Sequence, residues 1–222
     1  MNLLAIDTST DYMSLAVLKN GMAASRFHKK CPMRHSSMLL PMIDKMLGKA
    51  GIKIKDIDCF CISIGPGSFT GLRIGSATVK GLAYALKKPI VAIPTLDVIA
   101  ENARPFKGII CPVIDARKSK VYACLYKSDG RSVTRLSKYL LIPPEELLKK
   151  TGKYDKIIFL GDAVHMINNF RGQIRCRKSG WHPKAEVAAG LGMEYIKNKK
   201  FTRPEDLEPL YLYSRKCDIT GH

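Results

Sequence analysis

Leu3-Leu4-Ala5-Ile6-Asp7-Thr8-Ser9-Thr10-Asp11-Tyr12-Met13-Ser14-Leu15-Ala16-Val17-Leu18-Lys19-Asn20-Gly21 is an apolar run, a polar turn and an alternating run ending in Asn-Gly. The apolar run that closes on Asp7 reads as a buried strand. Residues 12–18 alternate around Leu15 and Val17, and Asn20-Gly21 is the strongest short hairpin signal. Three strands are therefore predicted to open the chain. The unit returns at 109–126, where an apolar run ends on Asp115 and Val121, Ala123 and Leu125 alternate beyond the turn.

The stretch between these units reads as further strands and helices. Met38, Leu39, Met42, Ile43, Met46 and Leu47 recur at helical spacing and end near Gly51, with Pro41 tolerable in a first turn. Residues 57–64 read as a strand, 65–67 as a tight loop, 69–86 as a helix and 90–93 as a short strand, giving β-β-β-α-β-α-β. Beyond the second unit, 143–146 looks like a helix start, 157–160 a strand, 163–170 a helix, and 185–197 a helix carrying Val187, Leu191 and Ile196. Two related α/β halves are predicted, residues 1–104 and 105–222, with the C-terminal segment able to pack back on the first half.

Composition narrows the class. At 222 residues, 46% hydrophobic and 25% charged, the chain matches ordinary globular proteins, which excludes disorder and low-complexity readings. The longest apolar run, 109–114, is six residues and contains Pro112, far short of the roughly 20 that a membrane span needs. The N-terminus has no basic region ahead of Asp7, so no secretory signal and a cytoplasmic location are expected. Seven cysteines, an odd number without C-x-x-C, read as reduced, buried hydrophobes. Lys and Arg number 37 against 19 Asp and Glu, a formal charge of +18, and RNA is the first candidate among polyanionic partners. Arg171, Arg175, Arg177 and Lys178 are the RNA-contact candidates; a merely solvated basic face is the equal alternative.

Three motifs bear on chemistry. Asp7-Thr8-Ser9-Thr10 could hold a phosphate on hydroxyls and N–H groups, with Asp7 placing a cation or water, or could be ordinary turn residues bonding their own backbone. Gly65-Pro66-Gly67-Ser68-Phe69-Thr70-Gly71-Leu72-Arg73-Ile74-Gly75 meets neither the P-loop nor the G-x-G-x-x-G fingerprint. Its Gly67, Gly71 and Gly75, continued by Val79 and Ala83, fall on one helical stripe that lets a neighbour approach closely, either within this chain or on a second subunit. Each glycine costs the helix about 1 kcal/mol relative to alanine. His35-Ser36-Ser37 offers Ser36 or Ser37 as a helix N-cap. The five histidines show no H-x-x-x-H, and there is no G-x-S-x-G elbow or Cys-His pair, so neither a metal site nor a catalytic residue is expected.

Leu4-Ala-Ile-Asp-Thr-Ser-Thr10, His35-Ser36 with Leu39-Leu40-Pro41, the 65–75 run, Pro94-Thr-Leu96, Ile114-Asp-Ala-Arg117 with Val121-Tyr122, and Pro209-Leu-Tyr-Leu212 together resemble the TsaB (YeaZ) family, nearly end to end. The resemblance implies an ASKHA (actin, Hsp70 and sugar-kinase-like) fold of two βββαβα-type halves. It implies a non-catalytic role in making N6-threonylcarbamoyladenosine beside the anticodon of tRNAs reading ANN codons. The expected partners are the TsaD-like transferase, a TsaE-like ATPase, and tRNA through their complex, with a homodimer when the partner is absent. No membrane is involved, and no cofactor is expected in this chain, ATP belonging to the complex. Where the transferase carries a metal-binding H-x-x-x-H, this chain has Leu96 and Ala100. The implied interface uses the helices after His35 and Gly67, with Leu39, Ile43, Met46, Leu72, Gly75, Thr78, Val79 and Leu82 as contacts and Arg73 at the rim. On that reading Gly75→Leu blocks the partner and spares the fold. The family's arginine after P-x-Y-L is replaced here by Tyr213, with Arg215 two residues on. Two alternatives stay open: an ATP-binding cleft with Asp7, Thr8, Ser9 and Asp115 at the phosphates, or a basic RNA-binding module.

Overall fold

Asn20 and Gly21 both adopt positive φ, 53° and 79°, and close a hairpin between β2 (Tyr12–Lys19) and β3 (Met22–Lys30). In this computed structural model, which describes residues 1–167, 180–213 and the backbone of 173–177, that hairpin is one edge of a five-stranded sheet. β1 (Leu3–Asp7) pairs antiparallel with β2 and parallel with β4 (Cys59–Ser63), which pairs parallel with β5 (Ile90–Ile93). The order is β3-β2-β1-β4-β5.

The second sheet repeats that plan. β6 (Lys107–Asp115) pairs antiparallel with β7 (Val121–Ala123) and parallel with β11 (Lys156–Leu160), and β11 pairs parallel with β12 (Gln173–Arg177). β10 (Leu140–Ile142) pairs antiparallel with β7, giving the order β10-β7-β6-β11-β12. The duplicated order expected from the two strand-Asp-hairpin units is thus present in the pairing directions. The alternating run at 120–126, read as one strand, is two: β8 (Tyr126–Asp129) turns away from β7 to pair with the N-terminal half of β6 and with β9 (Val133–Arg135). The break is stabilised at Leu125, whose N–H donates to Ser137 Oγ at 3.0 Å and whose carbonyl accepts from Leu136 N–H at 2.7 Å.

Side chains of β1 alternate between the two faces of the sheet, all of them buried, and each face has its own helices. Leu4 and Ile6 pack under α1 (His35–Ala50) and α2 (Phe69–Leu86), against Leu39, Ile43, Met46, Val79 and Ala83. Leu3 and Ala5 face the other way. They are covered by α5 (Ala185–Lys197) through Ala185, Ala188 and Ala189, so a helix from beyond the second sheet completes the core of the first. In the second half, α4 (Pro144–Thr151) places Leu147 against Val113 and Phe159, and α3 (Thr95–Glu101) places Leu96, Ile99 and Ala100 against Ile110, Ile114 and Ile158.

Three local readings are corrected. Pro41 lies inside α1, not in its first turn; the carbonyl its missing N–H leaves free belongs to Ser37, which is exposed to water. Arg34 takes the N-cap position in place of Ser36 or Ser37, and Ser37 Oγ donates to Arg34 O at 3.3 Å. The expected 163–170 helix is a 3-10 turn, Asp162–Met166, preceded by Gly161 at φ 141°, where a Cβ would stand 1.7 Å from Val113 O; residues 168–170 lie outside those described. The five cysteines among the described residues, Cys31, Cys59, Cys61, Cys111 and Cys124, are free and buried.

A polar cluster joins α3 to the second sheet. Asp97 accepts the Tyr126 hydroxyl at 2.5 Å and the Tyr139 hydroxyl at 2.9 Å, with the Arg135 guanidinium 3.9 Å away and bonded to Tyr139. Burial raises the Asp97 carboxyl, and the two tyrosine donors draw it back down. Tyr126→Phe removes one donor from a mostly buried carboxylate, a loss of about 1–3 kcal/mol. A lower midpoint in thermal unfolding at neutral pH is expected, and an unchanged midpoint would mean the cluster is not a joint.

Candidate functional site

The glycine stripe finds its partner inside the chain. A Cβ at Gly67 would lie 2.2 Å from Ser9 O, at Gly71 2.0 Å from Thr8 O, and at Gly75 2.3 Å from Thr8 Oγ1. The β1–β2 turn therefore rests directly on the backbone of α2. Two hydrogen bonds fix it there: Ser68 N–H donates to Ser9 O at 2.7 Å, and Thr8 Oγ1 donates to Gly71 O at 2.7 Å. Of the two uses left open for the stripe, the intramolecular one is observed.

The expected contact set divides along the same line. Leu39, Ile43, Met46, Leu72, Gly75 and Val79 are buried within this chain, because the stripe and the apolar face of α1 both point at the first sheet. Of the nine residues named from the resemblance, Thr78 and Leu82 are half-buried and Arg73 is exposed. Helical spacing defines a face but not the neighbour it meets. A second small-residue row, Ala77, Gly81 and Ala85, has the same spacing and lies on the exposed side of α2, and nothing stands within 4 Å of a Cβ built at Gly81. Tyr84, 72% exposed, stands on the same helix, and Leu40, 55% exposed, on α1.

The turn residues proposed for phosphate binding are occupied. Asp7 is fully buried; its Oδ1 accepts the Ser9 N–H at 3.0 Å and the Ser9 hydroxyl at 2.9 Å, while Oδ2 has no hydrogen-bond partner among the described residues. Burial pushes the carboxyl up to about 6 against the pull of the Ser63 and Ser9 groups and of nearby His35. Thr8 and Ser9 are each 1% exposed. Their hydroxyls are engaged within the chain, Thr8's on Gly71 O and Ser9's on Asp7. Asp115, at the matching place in the second half, accepts Arg117 N–H at 2.7 Å and pairs with its guanidinium at 3.3 Å.

Asp115 and Arg117 form one wall of a cleft of about 2220 Å³ whose opposite wall is the 66–74 segment and whose rim carries Tyr211 and Tyr213. Among the described residues, no group of His, Cys, Asp and Glu has the arrangement of a metal site. Leu96 and Ala100 are fully buried in apolar surroundings. Of the RNA-contact candidates, Arg175 and Arg177 fall on β12, while Arg171 and Lys178, like Arg215, lie outside the described residues.

Two outcomes follow from this geometry. Gly75→Leu forces a branched side chain into Thr8 and Ile62, so loss of soluble folded protein is expected in place of the selective loss of a partner; a wild-type unfolding midpoint would contradict the packing. The Asp7 carboxyl sits above its ordinary 3.8 in the folded state, so its neutral form supports folding below that value and the support is lost as pH rises through about 6. Asp7→Asn keeps the Oδ1 acceptor without the charge. It is expected to stabilise the protein by up to about 3 kcal/mol at pH 8 and by little at pH 4, read as the difference in unfolding midpoint; equal midpoints at both pH values would refute the buried charge.

The chain has clear relatives. A family model described as TsaD, tRNA N6-adenosine threonylcarbamoyltransferase, matches residues 29–206. The tRNA threonylcarbamoyladenosine biosynthesis protein TsaB of Buchnera aphidicola subsp. Acyrthosiphon pisum is 32% identical over 223 residues, covering 96% of this chain and 98% of that protein. TsaB of Bacillus subtilis is 32% identical over 164 residues, covering 72% and 71%. A crystal structure from Pseudomonas aeruginosa, of a protein described as similar to peptidase YeaZ, superposes with a TM-score of 0.85 at 29% identity over 96% of this chain and 99% of its own. The two duplicated sheets with their covering helices are the ASKHA fold. The chain belongs to the TsaB (YeaZ) family of tRNA threonylcarbamoyladenosine biosynthesis proteins.

Proposed function

We propose that the chain is a non-catalytic subunit of the machinery that places N6-threonylcarbamoyladenosine beside the anticodon of tRNAs reading ANN codons. It docks on a TsaD-like transferase and activates it together with a TsaE-like ATPase. The observation that carries this reading is the pair Leu96 and Ala100. They stand where the transferase pattern has its two metal-binding histidines, and both are packed into the apolar core. Neither side chain can ligate a metal, so the chain lacks the means for the transfer step and contributes through contact.

The docking face is the outer side of α1 and α2. Ala77, Gly81 and Ala85 allow a partner helix to come close, half-buried Thr78 and Leu82 border the row, and Leu40, Tyr84 and Arg73 surround it. A second copy of the chain would use the same face when the partner is missing. The burial of Asp7, Thr8 and Ser9 weighs against the ATP-binding alternative.

Gly81→Trp tests the face without touching the core, because the added side chain enters open space and replacing a helix glycine gains roughly a few tenths of a kcal/mol. The variant is expected to fold with an equal or higher unfolding midpoint and to lose co-purification with the host's TsaD-like transferase; undiminished co-purification would overturn the face. Depleting the protein in its host and measuring tRNA nucleosides by mass spectrometry tests the role itself. Selective loss of threonylcarbamoyladenosine is expected, and an unchanged level would overturn it.

A further inference from the structure

Four of the large apolar side chains that the fold leaves exposed line one cleft: Met33 at 99%, Phe69 at 53%, Tyr211 at 41% and Tyr213 at 36%. The rings come from separate parts of the chain. Phe69 opens α2, Tyr211 and Tyr213 lie on the segment after α5, and half-buried Tyr122 on β7 meets Tyr213 edge-on with centroids 6.2 Å apart. Arg73 is stacked over Phe69, its guanidinium carbon 3.7 Å from the ring centroid, and its Nε donates to the Tyr211 hydroxyl at 3.4 Å. Phe69 and Tyr211 are themselves 5.6 Å apart.

Charge at this rim is divided. The cleft's carboxylates are engaged: Asp11 pairs with Lys30 at 3.2 Å, Asp115 with Arg117 at 3.3 Å, and Asp162 accepts the Asp115 N–H at 2.9 Å, while Glu208 also has a partner. Arg73 and exposed Lys118 have no carboxylate within ion-pair distance among the described residues, in a chain of net charge +18. Lys118 sits on a turn in which Arg117, Lys118 and Ser119 all take positive φ, 63°, 49° and 52°, which holds it out at the mouth.

Small ligands fit this place poorly. The cleft, at about 2220 Å³, exceeds the roughly 300–1,000 Å³ of small-molecule pockets. The N–H groups of Ser68 and Gly71, which would cradle a phosphate, are spent on Ser9 O and Ser68 Oγ. What remains is a set of partly exposed rings, Phe69 with one face under Arg73, beside two cations that have no carboxylate partner among the described residues. Unstacked bases and their phosphates match that combination, whereas a duplex hides its base faces.

We infer that this rim binds single-stranded RNA, bases stacking on Phe69, Tyr211 and Tyr213 and phosphates facing Arg73 and Lys118. The inference deepens the proposed function, on which it rests only for the identity of the RNA as tRNA. The test is fluorescence anisotropy of the full-length protein with a short labelled oligouridylate and with an RNA duplex of equal length. Preference for the single strand is expected, with Phe69→Ala and Tyr211→Ala each weakening it about five- to 150-fold at unchanged unfolding midpoint. Replacing Arg73 and Lys118 by Gln is expected to flatten the salt dependence by about 1.4 in log–log slope. Equal affinity for the duplex, or full affinity in both aromatic variants, would overturn the rim and leave only diffuse charge. A Phe69→Ala protein that keeps RNA but loses the transferase would overturn it as well. The two readings fail separately: loss of the modification on depletion with RNA binding insensitive to these residues removes the rim alone. RNA binding as described with the modification intact on depletion removes the tRNA role alone.

Discussion

Three glycines in register, Gly67, Gly71 and Gly75, let the β1–β2 turn lie against the backbone of α2, and much of the site's geometry follows from that contact. Two of them, Gly71 and Gly75, lie inside α2 and weaken it intrinsically, by about 1 kcal/mol per position. The Thr8 and Ser68 hydrogen bonds and the apolar packing of Leu72 and Val79 offset this. Because the turn is clamped there, Asp7 is held away from water, the 66–74 segment becomes a wall of the cleft, and the opposite side of α2 is left outward. One close approach thus separates a buried polar turn, an open cleft and an outward row of small residues within a single helix's width.

The two halves are joined by unlike means. Apolar contact supplies one, through α3 against β6 and β11. The Asp97, Tyr126, Tyr139 and Arg135 cluster supplies another, with donors from β8 and from the start of β10 aimed at one carboxyl on α3. A carboxylate so placed is favourable only while its donors remain, which makes the joint specific in geometry more than strong.

The pattern of apolar residues and turns carried most of the architecture. The 3–21 and 109–126 units, Asn20-Gly21 and the apolar periods of α1, α2 and α5 were readable because burial on a pleated strand or an amphipathic helix imposes its own spacing. The break at Leu125 was not, since it depends on Ser137 reaching back to a backbone N–H from a distant segment. Gly161 carried no local signal either; its constraint is Val113 O on another strand. The site was legible in kind more than in detail. The 65–75 run announced close packing, yet its spacing was compatible with a neighbour in this chain or another, and only the position of Thr8 and Ser9 decides. The rim aromatics, scattered from Phe69 to Tyr213, share no sequence window and come together only through the fold.

Coverage of the first sheet by α5 bears on the order of synthesis. Leu3, Ala5, Cys61 and Val91 form a finished apolar face long before Ala185, Ala188 and Ala189 exist to cover it. A chain still on the ribosome therefore presents the N-terminal sheet with one side bare until residues 185–197 have been made. Apolar surface exposed in that way is prone to aggregation until it is covered. That coverage also ties the two halves into one folding unit, since the half translated first cannot complete its core without a helix from the half translated later.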